Sequence, residues 1–313
     1  MPLPAAFQGR LKLPAVVAPM FLTSGPDLVV EVCRSGLVGT FPALNQRTTA
    51  GFVAWLEEIS TRLAAFADPA PFGVNLIVHK SNPRLHADLE QVVAHKVPLV
   101  ITSLGAVRDV VEAVHSYGGL VFHDVISRRH AEKAAEAGVD GIIAVCAGAG
   151  GHAGTLSPFA LVPEIRQVFG GTILLGGAIS TGAQIAAARL LGADLAYLGT
   201  RFIATKEAMV PEDYKAMLTT TSAADIVYTP SISGVNANFL RPSIVAAGLD
   251  PDNLPPPHAL DMSSEAKAWK NVWSAGQGVG SIADAPGAAE LCARLIAEYD
   301  AAIAGLTPAR EVA

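Results

Sequence analysis

One histidine in this chain stands where side chains are nearly absent. His152 lies within Ala147-Gly148-Ala149-Gly150-Gly151-His152-Ala153-Gly154. Such a segment lets the backbone approach a ligand closely and lets its N–H groups point at an anion or at ring heteroatoms. An imidazole changes charge near neutral pH, so it can accept a proton or, once protonated, hold an anion. The plainer reading is a flexible turn that happens to contain a histidine. A second signal is the pair Gly176-Gly177 and Gly199-Thr200. Each follows an apolar run and leads toward a helix, the arrangement that binds phosphate through backbone N–H groups, a hydroxyl and the positive ends of helix dipoles. Ordinary loop glycine is the alternative at each.

Weaker candidates surround these. Asn75 and the pair His123-Asp124 are polar residues inside apolar runs, where they need partners. A ligand could supply them, or they could satisfy one another in a barrel interior. Cys146 reads as a small buried filler rather than a reactive thiol. Arg129 and His130 open a helix and read as solvated surface. Asn236, Asn238 and Phe239 lie in a loop that either touches substrate or forms a structural lid. Trp269 and Trp273, four apart, read as the packing face of a helix rather than a stacking platform.

What must position these residues is legible as an alternation. Short apolar runs occur at 15–20, 38–42, 73–78, 99–103, 120–124, 141–145, 172–175 and 195–198. Between them lie helical stretches at 26–35, 49–67, 83–94, 107–117, 128–137 and 184–191. Eight strands that are nearly continuous in apolar residues fit a parallel sheet covered on its outer face. Eight units in about 200 residues match a closed (β/α)8 TIM barrel. An open doubly wound sheet is the runner-up, but it would place its phosphate loop after an early strand. The rhythm breaks over 205–285, which is rich in proline, and a helix is expected over 288–304. The expected organisation is a barrel over 1–204, a lid over 205–285 above its mouth, and a closing helix within 286–313.

The composition agrees with an interior-rich α/β protein. Hydrophobic residues make up 51% of the 313 residues and charged residues only 16%, which excludes a disordered chain. A net charge of −6 gives no electrostatic support for a nucleic-acid partner. Cys33, Cys146 and Cys292 are odd in number and widely spaced, so neither a disulfide framework nor a metal site is expected. With no apolar run of membrane-spanning length and no secretory pattern, a cytoplasmic setting is expected.

Together Ala18-Pro19-Met20, Phe72-Gly73-Val74-Asn75, Gly150-Gly151-His152-Ala153-Gly154, Gly176-Gly177, Leu198-Gly199-Thr200-Arg201-Phe202 and Ala275-Gly276-Gln277-Gly278-Val279-Gly280 resemble the nitronate monooxygenases, formerly 2-nitropropane dioxygenases. The resemblance implies FMN bound without a covalent link. It places Pro19, Met20 and Asn75 near the isoalloxazine ring, Gly150 and Gly151 along the cofactor, and Gly176, Gly177, Gly199 and Thr200 at its phosphate. His123 and Asp124 are candidates for a second polar group under the flavin, and Gln277 for a further cofactor contact. His152 matches the active-site histidine, as proton acceptor or anion binder. The partners implied are a small-molecule substrate and O₂, with a homodimer as a further expectation.

Two other functions compete on the same barrel. One is NAD(P)H-dependent reduction of a quinone or an enoyl thioester. The other is a flavin-binding protein without catalysis. The chain also departs from some relatives, which carry lysine where Asp124 stands and an acidic residue where Val145 stands. A carboxylate in place of a cation pushes a flavin's potential the other way.

Overall fold

Apolar runs of five or so residues, rich in valine, isoleucine and leucine, are buried on both faces here, and each becomes a strand. A computed structural model describes residues 3–105, 108–257 and 269–306. Eight parallel strands close into a barrel: β1 (Ala15–Val17), β2 (Val38–Pro42), β3 (Phe72–Ile77), β4 (Leu99–Ser103), β5 (Leu120–Val125), β6 (Gly141–Val145), β8 (Thr172–Gly176) and β9 (Leu195–Leu198). β9 returns to β1, with Ala196 opposite Ala15 and Leu198 opposite Val17. The expected (β/α)8 barrel is present, and all eight anticipated strands belong to it. β7 (Gly151–His152) stands outside the barrel.

Alternation along the strands divides the side chains into two sets. Val16, Val38, Leu99, Ile101, Phe122, Ile143, Leu174 and Leu195 point inward and form one buried cluster. Phe7, from a 3-10 turn at Ala5–Phe7, closes the cluster from below and meets the Phe122 ring edge-on at 5.9 Å. Outward-facing Val17, Val100, Val121 and Ile142 pack with the helices in a second, larger core. With its lower end filled, the barrel can admit a ligand only at the C-terminal ends of its strands.

Helices α1 (Pro26–Arg34), α2 (Thr49–Leu63), α3 (Leu85–Ala94), α4 (Arg108–His115), α5 (Arg128–Ala137), α6 (Pro158–Val168) and α7 (Gly182–Leu190) link the strands. Thr48, Ser127, Ser157 and Thr181 cap four of them by accepting a backbone N–H. α6 is absent from the sequence expectation because Pro163 interrupts its pattern, although Ser157 and Pro158 mark its start. The C-terminal helix Ala288–Gly305 packs on α7 so closely that a Cβ at Gly182 would lie 2.3 Å from the Leu295 carbonyl. Glu298 accepts the Gly182 N–H at 2.7 Å and fixes that contact.

The segment after β9 carries α8 (Thr200–Ile203), α9 (Glu212–Thr220), β10 (Ile226–Thr229), β11 (Ala237–Leu240) and α10 (Arg241–Ala246). β11 pairs antiparallel with both β10 and β7, setting Ala237 opposite His152 and Asn238 opposite Gly151. This three-stranded sheet was not legible in a region that reads as poor in strands. Among the described residues no helix is long and apolar enough to cross a membrane, and no cluster of metal-ligating side chains occurs.

Candidate active site

The residues that end the barrel strands differ from the layer beneath them. Ile101 and Phe122 are fully buried. Two residues further along the same strands, Ser103 and Asp124 point the same way but are partly exposed. Val145 on β6 and Tyr197 on β9 share that level and that partial exposure. Asn75 on β3 joins them. A half-open floor of polar and aromatic groups therefore covers the apolar barrel interior.

Hydrogen bonds run across this floor. Asn75 Nδ2 donates to Ser103 Oγ at 2.8 Å and to the Ile101 carbonyl at 3.2 Å. The Ser103 hydroxyl donates to Asp124 Oδ2. Burial pushes the Asp124 carboxyl up to about 6, against the opposing effects of the Ser103 hydrogen bond and the nearby His152. Burial, reinforced by the Asp124 charge, also raises the Tyr197 phenol well above its usual range.

His123 does not belong to this floor. Next to inward-facing Asp124, it points outward, where its Nδ1 pairs with Thr102 Oγ1 at 2.8 Å. Burial is the main cause that lowers its imidazole to about 4, with His130 on α5 acting in the same direction. Strand parity thus corrects the expectation that His123 contacts a cofactor in the mouth.

The rim is built by converging turns. Gly148 and Gly151 have φ of +83° and +68°, a conformation glycine adopts without steric cost. The Gly148 carbonyl accepts the N–H of Gln277 at 2.8 Å and that of Ala178, just after Gly176-Gly177, at 3.3 Å. Gly276 donates to Thr200 Oγ1 at 2.8 Å. A Cβ at Gly150 would lie 2.9 Å from Gly276 N and 3.0 Å from Thr200 Oγ1. Met20 reaches the same turn, because a Cβ at Gly199 would lie 3.7 Å from its Sδ. Pro19 precedes it at the end of β1, half-buried like Met20. The structure therefore gathers the loop carrying His152, Gly176-Gly177, Gly199-Thr200, Met20 and Gln277 at one end of the barrel.

His152 is held on β7 by residues from the segment after β9. Its ring meets Trp269 edge-on at 5.7 Å, and Trp269 lies against Phe239 at 5.0 Å. Trp273 instead stacks on Tyr214 at 4.8 Å, so the two tryptophans serve different cores rather than one helix face. Two residues expected near substrate are supports. Asn238 is buried and donates to the Ala149 carbonyl at 2.7 Å, and Phe239 is fully buried. Asn236 is exposed, and its carbonyl accepts the Ala153 N–H at 3.2 Å.

Sequence reasoning missed several residues of this end. Ser103 and Tyr197 were findable by stepping two residues along β4 and β9 from Ile101 and Leu195. Trp269 and Ser274 were not, because only the tertiary fold brings them to Gly151 and His152; Ser274 Oγ accepts the Gly151 N–H at 2.7 Å. Asn45 holds the Met20 loop by donating to its carbonyl at 3.1 Å and accepting the Leu22 N–H. Cys146 is buried and its thiol is pushed up to about 12 by burial, in keeping with a filler.

Comparison with known proteins bears on this geometry. Residues 84–298 match the family model for nitronate monooxygenase. The chain is 31% identical over 188 residues to a nitronate monooxygenase of Paraburkholderia phytofirmans, covering 57% of this chain and 49% of that one. It is 25% identical over 232 residues to a hydroxy-methyl-oxo-octahydroindene-carboxyl-CoA dehydrogenase of Rhodococcus jostii, covering 74% and 64%. The chain thus spans about half to two thirds of the length of these curated relatives. In fold it resembles a nitroalkane oxidase of Streptomyces ansochromogenes, with a TM-score of 0.83 at 24% identity over 97% of this chain and 100% of that one. On the barrel, the gathered glycine turns and the matched model, this chain belongs to the nitronate monooxygenase family.

Proposed function

We propose that this protein is a flavin-dependent oxidoreductase that holds FMN in the barrel mouth and oxidises alkyl nitronates with O₂ to a carbonyl compound and nitrite. The observation that carries the reading is His152 on its two-residue strand at the rim, beside the converged glycine turns and above the Asn75–Ser103–Asp124 floor. Family membership supports a flavin enzyme in general, and two features of the mouth support a bound cofactor there. At Gly151 and Gly199 an added Cβ would meet nothing nearer than 3.8 and 3.7 Å, so both leave bare backbone for a ligand. Asp124 Oδ1 is buried and has no hydrogen-bond partner among the described residues, so it awaits one from a ligand.

Bound FMN would supply the redox chemistry, accepting electrons from the substrate and delivering them to O₂. The protein's own part is binding, orientation and proton transfer. Backbone N–H groups at Gly176-Gly177 and Gly199-Thr200 would hold the phosphate, and the Thr200 hydroxyl keeps its own hydrogen to donate while accepting from Gly276. Pro19, Met20 and Asn75 would lie against the ring. The His152 imidazole takes the α-proton from a nitroalkane when neutral, or holds the anionic nitronate when protonated. Trp269 fixes the orientation of that ring by edge-on contact.

Nitrite release from an alkyl nitronate under air, without NAD(P)H, tests this reading. Absence of nitrite from protein reconstituted with FMN would count against it. A second reading, NAD(P)H-dependent reduction of an enoyl thioester or quinone, draws on Asp124, because an ionised carboxylate on the floor disfavours an anionic substrate. The similarity to a CoA-thioester dehydrogenase supports it too.

A further inference from the structure

The hydrogen bonds on the floor of the mouth have a direction. Asn75 donates its amide hydrogen to Ser103 Oγ, and Ser103 donates its single hydroxyl hydrogen to Asp124 Oδ2. Oδ2 is therefore committed as an acceptor. A proton carried by Asp124 has to sit on the other oxygen, Oδ1, which is buried and has no hydrogen-bond partner among the described residues. Among the described residues, the groups around this carboxyl come from five strands. β3 and β4 bring Asn75 and Ser103, β6 brings Val145, and the titratable neighbours are Tyr197 on β9 and His152 on β7. Among the described residues, no lysine or arginine acts on the Asp124 carboxyl.

We propose that Asp124 binds the flavin as a neutral carboxylic acid, its Oδ1–H donating to an acceptor atom of the isoalloxazine ring, with Asn75 and Ser103 as positioning residues that direct the proton to Oδ1. The inference rests on the FMN reading above. A neutral donor satisfies the ring without setting a fixed negative charge beside an anionic substrate, which reconciles Asp124 with nitronate chemistry. Burial supports it by pushing the carboxyl up to about 6, so that a ligand accepting its proton in a hydrogen bond has little further to raise it.

The test is FMN affinity, read by fluorescence quenching across pH 5 to 8 for the full chain and for Asp124→Asn. In that variant the Ser103 hydroxyl holds the amide oxygen, so the NH₂ group takes the Oδ1 position and donates at every pH. The FMN phosphate has its own ionisation near pH 6, but this is common to both proteins, so the ratio of their Kd values isolates Asp124. The expected result is a parent-to-variant ratio that rises with pH above about 6, approaching tenfold per pH unit. A ratio that stays flat while both proteins bind FMN overturns this inference alone, as does a variant that binds more weakly than the parent at every pH. If the parent binds no FMN at any pH, the inference falls together with the FMN reading.

Discussion

Gly276 donates its backbone N–H to the Thr200 hydroxyl oxygen at 2.8 Å, which joins the turn after the last barrel strand to a segment 76 residues further along. One bond thus ties the Gly276 turn to the turn expected to hold a phosphate. Thr200→Val keeps the shape but leaves the Gly276 N–H buried without an acceptor, a loss of about 1–3 kcal/mol. The melting temperature should fall by about 1.5 °C for each kcal/mol in a chain of this length, and FMN should be released more readily. Calorimetry with and without added FMN checks both.

The two glycines at this junction should respond differently to a methyl group. A Cβ at Gly276 would sit 2.5 Å from the Gly148 carbonyl and 2.8 Å from Gly150 N, so Gly276→Ala must push the His152 loop aside. At Gly199 the nearest atoms are side-chain carbon and sulfur of Ala18 and Met20 at 3.7 Å. Gly276→Ala should cost about 1–3 kcal/mol of stability, as overpacking does, whereas Gly199→Ala should leave stability nearly unchanged and weaken FMN binding. Thermal unfolding and FMN titration of the two variants separate the effects.

The two histidines should divide cleanly between chemistry and folding. His152→Ala should retain FMN yet lose about a hundredfold or more in turnover, the usual scale for removing an acid–base group. His123→Gln should retain turnover, since that side chain faces the helices. Its effect is on stability against pH. The folded-state value near 4 lies below the ordinary 6.5, so between those limits the unfolded chain binds the extra proton and stability falls as pH falls. Denaturation at pH 4.5 and 7.5 should show a smaller difference for His123→Gln than for the parent.

Asp124 carries the opposite sign. Its carboxyl is raised above the ordinary value of 3.8, so the folded chain binds the extra proton, and the stability this gives is lost as pH rises through about 6. In FMN-free protein, Asp124→Asn should be more stable than the parent at pH 7.5, and the advantage should disappear toward pH 4. Urea titrations at the two pH values measure it.

The sequence was most informative where burial is simplest. β2, β4, β6, β9 and α5 begin and end where their apolar runs and caps say they do. His152, Gly150-Gly151, Gly176-Gly177 and Gly199-Thr200 meet because barrel topology sends every strand end to one mouth. His123 was misread because adjacent strand residues face opposite sides, and parity has to be counted from a residue of known direction such as Phe122. β7 escaped notice because a two-residue strand has no period, and its partner β11 lies beyond several barrel elements. Asn238 looks like a binding residue by type, yet only the fold reveals that its amide is already engaged by the Ala149 carbonyl.

The most direct test of nitronate oxidation is flavin reduction without oxygen. FMN-reconstituted protein is mixed anaerobically with an alkyl nitronate, NADH or NADPH, and the flavin absorbance is followed. Nitronate oxidation predicts rapid loss of the oxidised-flavin band with the nitronate and none of comparable rate with either nicotinamide. Rapid reduction by NADH or NADPH, with no response to the nitronate, would contradict it.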